Sequence, residues 1–253
     1  MLVQKLFKSL AVAAISLAAT QALSADSKTA IRNIVIVHGA WADGSGWQAV
    51  YKNLSARGYN VSIVQNPLTS LEADVAAAKR VLARQQGPTI LVGHSYGGVV
   101  ITEAGGEDKV AGLVYVAAFV PDAGESLLGM IKGGPQPPVQ PSADGFLFFD
   151  PAVFPMAFAA DLPEEQRKFL ASSQTPVAAA AFGAAVTKPA WKSRPSWYVV
   201  ASEDHIIPPA AQRQWAARAG AKVTELKGSH AIYVSQPAGV ANAIDEAAKA
   251  TSK

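Results

Sequence analysis

The sequence predicts an α/β fold in which a mostly parallel sheet of about six strands carries helices on both faces. Half of the 253 residues are apolar and only 16% are charged, so the chain has ample material for a globular core. From residue 31 onward, short runs rich in β-branched residues alternate with amphipathic stretches, which is typical of βαβ units. Cysteine is absent, which excludes disulfides, thiolate nucleophiles and Cys-ligated metal sites.

The first element, residues 1–25, has the layout of a secretory signal peptide. Lys5 and Lys8 precede an apolar stretch over residues 10–19, and small residues follow up to Ala25. This stretch is too short to span a bilayer comfortably, so we expect cleavage after Ala25 and export to the periplasm or the medium. Residues 26–253 hold 20 basic and 19 acidic residues without a basic run, so neither nucleic acid nor a stable membrane contact is expected.

Six candidate strands follow within residues 26–253, which we interpret as one domain. They are Asn33–Val37, Tyr59–Val64, Thr89–Val92, Gly112–Ala117, Trp197–Ala201 and Lys222–Leu226. The clearest helix lies between the second and third strands, where Thr69 and Glu72 have the spacing of a capping box. Pro209 and Pro237 are placed to begin the helices that follow the last two strands.

The alternation breaks once, over residues 121–190. This segment contains ten of the 16 prolines and seven of the nine phenylalanines, but no strand-like run. Two helices are expected in it, near Pro163–Ser173 and Pro176–Val186. We interpret the segment as a small helical cap inserted over one edge of the sheet. Its phenylalanines are expected either to line a cleft beneath the cap or to pack the cap on the sheet.

The third strand leads into a motif suited to nucleophilic catalysis. Gly93-His94-Ser95-Tyr96-Gly97 is a G-x-S-x-G pattern between a strand and a helix, the context of a nucleophile elbow. In so tight a turn, side chains at Gly93 and Gly97 would collide, and the serine is forced toward strained backbone angles with its hydroxyl facing the cleft. Ser95 is therefore the predicted nucleophile.

A serine hydroxyl is a weak nucleophile at neutral pH and needs a base that a third group orients. Of the four histidines, His94 adjoins Ser95 and must point elsewhere, and His38 belongs to the first strand–helix loop. His205 directly follows a candidate acid. The predicted base is therefore His230, which lies just past the sixth strand at the carboxyl edge of the sheet.

Two candidate acids follow the fifth strand at the same edge. Asp204 and Glu203 are adjacent, and alternating side-chain directions allow only one of them to face His230. The four-residue spacing to Pro208 favours Asp204, with Glu203 as the alternative.

The tetrahedral intermediate of acyl transfer needs backbone N–H donors around its oxyanion. One is expected from Tyr96, the residue after the nucleophile. The second should come from the loop after the first strand, where Gly39 lets the backbone turn toward the cleft. Ala40 is the predicted donor there, and Trp41 is the alternative.

The same loop carries a pattern found in dinucleotide-binding folds. Gly44-Ser45-Gly46-Trp47-Gln48-Ala49 matches G-x-G-x-x-A between a strand and a helix. The acid that would bind the ribose is missing, because the end of the next strand reads Val64-Gln65-Asn66. The histidines also lack metal-ligand spacing. We therefore expect neither a nucleotide cofactor nor a metal.

Together the motifs resemble the α/β-hydrolase family, from Ile31 to about Ala250. The segments VHGAWADGSGW, GHSYGG, AAFVPDAGES, SEDHIIPP and GSHAIYVSQP are similar to those of the small single-domain branch that includes plant methylesterases and hydroxynitrile lyases. The resemblance implies an α/β-hydrolase fold. It also implies the catalytic triad and oxyanion donors already chosen: Ser95, Asp204 and His230, with Ala40 and Tyr96.

The chain also departs from this family. Lyases of the branch place a lysine just after the catalytic histidine, where this chain has Ala231, which disfavours lyase chemistry. Six strands are fewer than the full family core has, so two N-terminal strands are expected to be absent. The prediction is an exported serine hydrolase that cleaves a small, largely apolar carboxylic ester through an acyl-enzyme. The alternatives are lactone or amide hydrolysis, carbon–carbon cleavage or perhydrolysis by the same triad, and a non-catalytic small-molecule receptor.

Overall fold

The computed structural model describes residues 30–134 and 136–252, so the predicted signal peptide lies outside the described residues. The strands are β1 (Asn33–Val37), β2 (Asn60–Val64), β3 (Thr89–His94), β4 (Val110–Val116), β5 (Val139–Pro141), β6 (Phe146–Phe149), β7 (Val177–Ala178), β8 (Ser196–Ala201) and β9 (Lys222–Leu226). The α-helices are α1 (Gln48–Ser55), α2 (Leu71–Ala83), α3 (Gly97–Ala104), α4 (Leu127–Ile131), α5 (Phe154–Phe158), α6 (Glu164–Ser172), α7 (Ala179–Gly183), α8 (Pro209–Arg218), α9 (Ile232–Ser235) and α10 (Pro237–Thr251). Within these ranges no helix has the length and apolar character that a membrane span needs.

Six strands form the central sheet in the order β2-β1-β3-β4-β8-β9, with every neighbouring pair parallel. The predicted α/β fold is therefore confirmed. The inner strands β1 and β3 are buried along their whole length, which explains their near-continuous apolar sequences. The edge strands β2 and β9 keep exposed positions.

Two apolar cores lie on opposite faces of this sheet, because successive side chains of a strand point to opposite sides. Val35 and Leu91 belong to the core that includes α2 and α3. Ile34 and Ile90 belong to the core that includes α1 and α10. With all strands parallel, the loops at their carboxyl ends meet at one edge, where the predicted site residues are found.

Two helix starts illustrate where local prediction succeeds and fails. Pro209 and Pro237 lie in the first turn of α8 and α10 as predicted, since a first-turn proline gives up only an N–H that the helix does not use. The capping-box prediction was wrong about the capping residue. Ser70, not Thr69, caps α2 by accepting a hydrogen bond from the amide of Ala73 at 3.0 Å, because the helix begins only at residue 71.

Residues 121–190 contain β5 to β7 and α4 to α7, and the prediction that this segment has no strands was wrong. The three strands form a small antiparallel sheet. The turn between β5 and β6 is closed by the amide of Ser142, which donates to the carbonyl of Phe146 at 2.8 Å. Strands of two to four residues are too short to show the alternation by which strands are predicted.

The two helices predicted for this segment differ in outcome. The one near Pro163–Ser173 is present as α6. The one near Pro176–Val186 is shortened to α7, because Val177 and Ala178 pair with β6 instead of continuing the helix.

Candidate active site

Ser95 lies in the turn between β3 and α3 with a backbone φ of 53°. This left-handed conformation costs an L-residue roughly 1–2 kcal/mol, and the surrounding turn enforces it. A Cβ on Gly93 would lie 2.5 Å from the carbonyl oxygen of Gly97, and one on Gly97 would lie 2.5 Å from the carbonyl oxygen of Val37. Only glycine fits at both positions, so the chain can turn sharply and present Ser95 at the carboxyl end of a central strand.

Asp204 and His230 form a buried pair at the same edge. The Oδ2 atom of Asp204 accepts a hydrogen bond from Nδ1 of His230 at 2.7 Å, and both side chains are fully buried. The other carboxylate oxygen accepts the amides of Ile206 and Ile207 at 2.7 and 2.9 Å. Because an ionised carboxylate only accepts, Nδ1 carries the proton and Nε2 keeps its lone pair, as a general base requires.

The alternative acid and the other predicted histidines lie elsewhere. Glu203 is exposed, with the Nζ of Lys227 at 3.6 Å, and His205 is also exposed. His38 is buried and structural, since its Nδ1 bonds to the carbonyl of Gly39 at 2.8 Å and its Nε2 to the amide of Asn66 at 2.9 Å. Its imidazole therefore joins the loop after β1 to the loop after β2.

The residue before the predicted nucleophile positions the residue predicted as the base. Nε2 of His94 donates to the carbonyl oxygen of His230 at 2.9 Å, and the two ring centroids are 4.7 Å apart. The neighbour of Ser95 in the chain thus contacts the histidine loop directly. Burial holds the pKa of His94 well below its ordinary value, and the nearby His230 lowers it further, so His94 stays neutral.

Several polar groups around Ser95 have no hydrogen-bond partner among the described residues. Nε2 of His230 is buried and unpaired, and the hydroxyl of Ser95 does not bond to it. The amides of Ala40 and Tyr96 likewise donate to no acceptor in this part of the chain, although these residues are 2% and 0% exposed. Since buried polar groups are nearly always paired, the free acceptor on His230 and the two free amide donors indicate a site built for a reacting group.

Ala40, Ser95 and Tyr96 line one small pocket of about 30 Å³. The remaining described residues of its lining are apolar or aromatic: Trp41, Phe119, Leu127, Ile131, Pro137, Phe182 and Ile206. Of the cap phenylalanines, Phe182 belongs to this lining, whereas others pack within the cap. Phe154 and Phe158, for example, stack with ring centroids 4.6 Å apart.

The cap also supports the histidine loop. The ring of Phe158 meets the ring of His230 edge-on, with centroids 4.7 Å apart, and the carbonyl of Phe158 accepts the amide of Ala231 at 2.9 Å. Asp161 accepts the amide of Ser229 at 3.0 Å and also its hydroxyl. Burial alone would raise the pKa of Asp161, but these hydrogen bonds keep it below the ordinary value.

Gln212 is a site residue that sequence reasoning missed. It is fully buried, and its Nε2 donates to Oδ2 of Asp204 and to the carbonyl of Ile207, both at 2.8 Å. Its Oε1 accepts the amide of Ala201 at 3.0 Å. Gln212 therefore fixes the same carboxylate oxygen that His230 uses. A polar residue on the buried face of α8 is the only sequence signal for this role.

Asp74 is a second missed residue, on the side of the predicted oxyanion donor. The hydroxyl of Tyr96 donates to Oδ2 of Asp74 at 2.7 Å, and Oδ1 accepts the amide of Leu68 at 2.8 Å. Burial raises the pKa of Asp74, and burial together with the Asp74 charge raises that of Tyr96. The residue whose amide is predicted to hold the oxyanion is thus anchored to α2 through its side chain.

The described residues contain no group of three His, Asp or Glu side chains that could hold a metal ion. The parallel sheet, with Ser, His and Asp side chains at its carboxyl edge, has the arrangement that defines the class of α/β-hydrolases. A model of the alpha/beta hydrolase family matches residues 34–243. The chain therefore belongs to the α/β-hydrolase family, and the family predicted from the sequence is confirmed.

Known proteins of this family are similar over most of the chain. A pyrethroid hydrolase from Sphingobium wenxiniae is 29% identical over 258 aligned positions, which cover 88% of this chain and 90% of that protein. The crystal structure of a pyrethroid hydrolase from Sphingobium faniae matches with a TM-score of 0.75 and 27% identity, covering 87% of this chain and 98% of the other. The crystal structure of a methylesterase from Arabidopsis matches with a TM-score of 0.72 and 21% identity, covering 87% of this chain and 99% of the other. This match shows a likeness of fold. The predicted enzyme class, a carboxylic ester hydrolase, is confirmed by the relatives.

Proposed function

We propose that this protein is an exported serine esterase that cleaves small, largely apolar carboxylic esters through an acyl-enzyme. The observation that carries the proposal is the set of unpaired buried groups around Ser95. Among the residues that the structure describes, Nε2 of His230 is an acceptor without a donor, and the amides of Ala40 and Tyr96 are donors without an acceptor. An ester undergoing attack supplies the missing partners.

In the acylation step, the hydroxyl oxygen of Ser95 attacks the ester carbon while Nε2 of His230 takes the hydroxyl proton. The negative charge that develops on the carbonyl oxygen is stabilised by the amides of Ala40 and Tyr96, which are positioned before the reaction begins. Asp204 stabilises the imidazolium. His230 then protonates the departing alkoxide, and water hydrolyses the acyl-enzyme by the same steps in reverse.

The apolar substrate class is supported by the pocket and by the relatives. No charged side chain belongs to the described lining of the pocket in front of Ser95. An uncharged, apolar ester therefore loses the least hydration free energy when it enters this pocket. Two of the relatives are named pyrethroid hydrolases, and pyrethroids are uncharged, apolar esters. For this protein we propose only that the substrate is apolar, and not that it is a particular compound.

The test is hydrolysis of p-nitrophenyl esters, from acetate to longer acyl chains, by the purified protein and by Ser95→Ala. We expect release of p-nitrophenolate to fall by about three to six orders of magnitude in the variant, and the acyl-chain optimum to report the size of the pocket. A folded wild-type protein that neither turns over these esters nor reacts with a serine-directed phosphonate would contradict the proposal.

Export is tested separately by mass spectrometry of the protein recovered outside the cytoplasm. A new N-terminus near Asp26 is expected from the charge and apolar pattern of residues 1–25. A secreted or periplasmic chain that still begins at Met1 would exclude cleavage there.

A further inference from the structure

A second apolar groove of about 120 Å³ lies between α4 and the first turns of α8. Its walls include Phe119, Met130, Ile131, Ile207, Ala211 and Trp215. None of the described residues that line it is charged. Such a groove suits an uncharged group, because a charged group would lose its hydration there without gaining a partner.

The groove adjoins the pocket in front of Ser95. Phe119, Ile131 and Ile206 line both, so the two spaces are neighbours across these side chains. A substrate whose ester group lies at Ser95 therefore has the groove directly beside its pocket.

The groove wall formed by α8 is held in place from both ends. Near its start, Gln212 bonds to Asp204 and to the loop that follows it. At its end, Arg218 donates to the carbonyl of Val120 and to Glu125, the latter at 2.9 Å. Because these bonds fix the wall before a ligand binds, little ordering is needed when a ligand enters.

The lining of the groove also contacts the acid that bonds to His230. Ile206 and Ile207, which line it, donate their amides to Asp204, and Asp204 orients the histidine that protonates the departing alkoxide. Because the departing alkoxide takes its proton from His230, and the groove lining is bonded to the partner of His230, the alcohol part of a bound ester is assigned to the groove and the acyl part to the pocket at Ser95.

We propose, resting on the esterase function proposed above, that this groove is the subsite for an uncharged aryl ring in the alcohol part of the ester. Apolar cavities on the order of 150 Å³ take up a benzene ring, so a groove of about 120 Å³ holds one ring and little more. Phe119 and Trp215, with ring centroids 5.2 Å apart and planes at 34°, supply aromatic surface for edge or offset contacts. The substrates favoured by this protein are benzyl-type esters over methyl esters of the same acid.

The test fills the groove from one wall. Ala211→Leu adds about three carbon atoms at a partly exposed helix position, where leucine is almost as good a helix former as alanine. The matched control is Ala217→Leu, since Ala217 is exposed on the same helix and does not belong to the groove. Met130→Phe, which enters from the opposite wall, is a second filling variant should the first fail to fold.

The readout is the ratio of kcat/KM for benzyl acetate to that for methyl acetate, with methyl phenylacetate reporting on the acyl side. Burial of one aromatic ring in the groove corresponds to an increase of roughly 10- to 100-fold in kcat/KM over an ester without the ring. We therefore expect the benzyl-to-methyl ratio to fall at least about tenfold in the filled variants and to keep its wild-type value in Ala217→Leu. A ratio that does not fall, or a loss confined to methyl phenylacetate, overturns the proposal.

Binding of benzyl alcohol, measured by calorimetric titration, separates failure of the groove from failure of the esterase. Binding that is present in the wild type and in Ser95→Ala but lost in Ala211→Leu supports the subsite, even if the chemistry at Ser95 differs from ester hydrolysis. Equal binding by Ala211→Leu and the wild type overturns the subsite while leaving the esterase function intact.

Discussion

Gln212→Met removes the side-chain amide that joins α8 to Asp204 while nearly conserving side-chain volume. The substitution deletes a hydrogen bond to a carboxylate, worth about 1.5–3 kcal/mol, and leaves the buried amide of Ala201 without an acceptor, which costs about 1–3 kcal/mol. The carbonyl of Ile207 loses its bond as well. We expect the free energy of unfolding to fall by about 3–5 kcal/mol, measured by urea denaturation.

The same substitution should change catalysis in a way that lost stability alone does not. With Gln212 gone, Oδ2 of Asp204 keeps only His230 as a partner, so the carboxylate charge is less shared and stabilises the imidazolium more strongly. The acid limb of the profile of kcat/KM against pH should therefore move to higher pH. We also expect kcat to fall by about 10- to 100-fold, because the acid loses one of its restraints.

The matched control is Gln214→Met, which changes an exposed glutamine of the same helix and should alter neither stability nor the pH profile. Equal behaviour of Gln212→Met and Gln214→Met would refute the reasoning. A Gln212→Met protein that is less stable but keeps the wild-type pH profile would show that Gln212 supports the fold without positioning Asp204.

Three further predictions concern the triad, acid stability and the elbow. Asp204→Asn should lower kcat by about 10⁴-fold with little change in the circular dichroism spectrum, whereas Glu203→Gln should stay near wild type, and the reverse pattern would exchange their roles. Burial lowers the pKa of His94 and of His38 below the ordinary value. Below about pH 6.5 the unfolded chain therefore binds more protons than the folded chain, and the free energy of unfolding falls as the pH is lowered. For a histidine that stays neutral in the fold, the free energy of unfolding is about 1.4 kcal/mol lower at about pH 5.5 than at about pH 7.5. Denaturation curves at these two pH values would show no difference if these side chains were protonated in the native state. Gly97→Ala should abolish folding or activity, because its Cβ would lie 2.5 Å from a carbonyl oxygen of β1, and a stable, active variant would contradict the geometry of the turn.

The elements that the sequence predicted correctly are those whose signal is local. β1 and β9 match the predicted bounds residue for residue, because the strand pattern and its bounding residues lie within one short window. The placing of Ser95 in a strained turn follows in the same way from the glycines beside it. Pro209 and Pro237 marked helix starts because proline acts through its own backbone.

The elements that escaped prediction depend on partners far along the chain. Gln212 has its role only because α8 packs its buried face on the loop after β8, and Asp161 only because the cap lies over the histidine loop. Neither residue stands in a recognisable pattern. The short strands of the cap escaped for a different reason, since two to four residues cannot display a period.

The contacts of Phe158 and Asp161 with the histidine loop have a consequence for substrate size. A cap that only covered the pocket could be pushed aside by a large substrate with no effect on the chemical step. Here the cap that lines the pocket with Phe182 also carries the packing and hydrogen bonds that hold the loop of His230, so a shift of the whole cap to admit a large ester would displace His230, the proposed base. Oversized esters should therefore be discriminated against in kcat as well as in KM, and a broader substrate range would require this loop to be supported by the sheet alone.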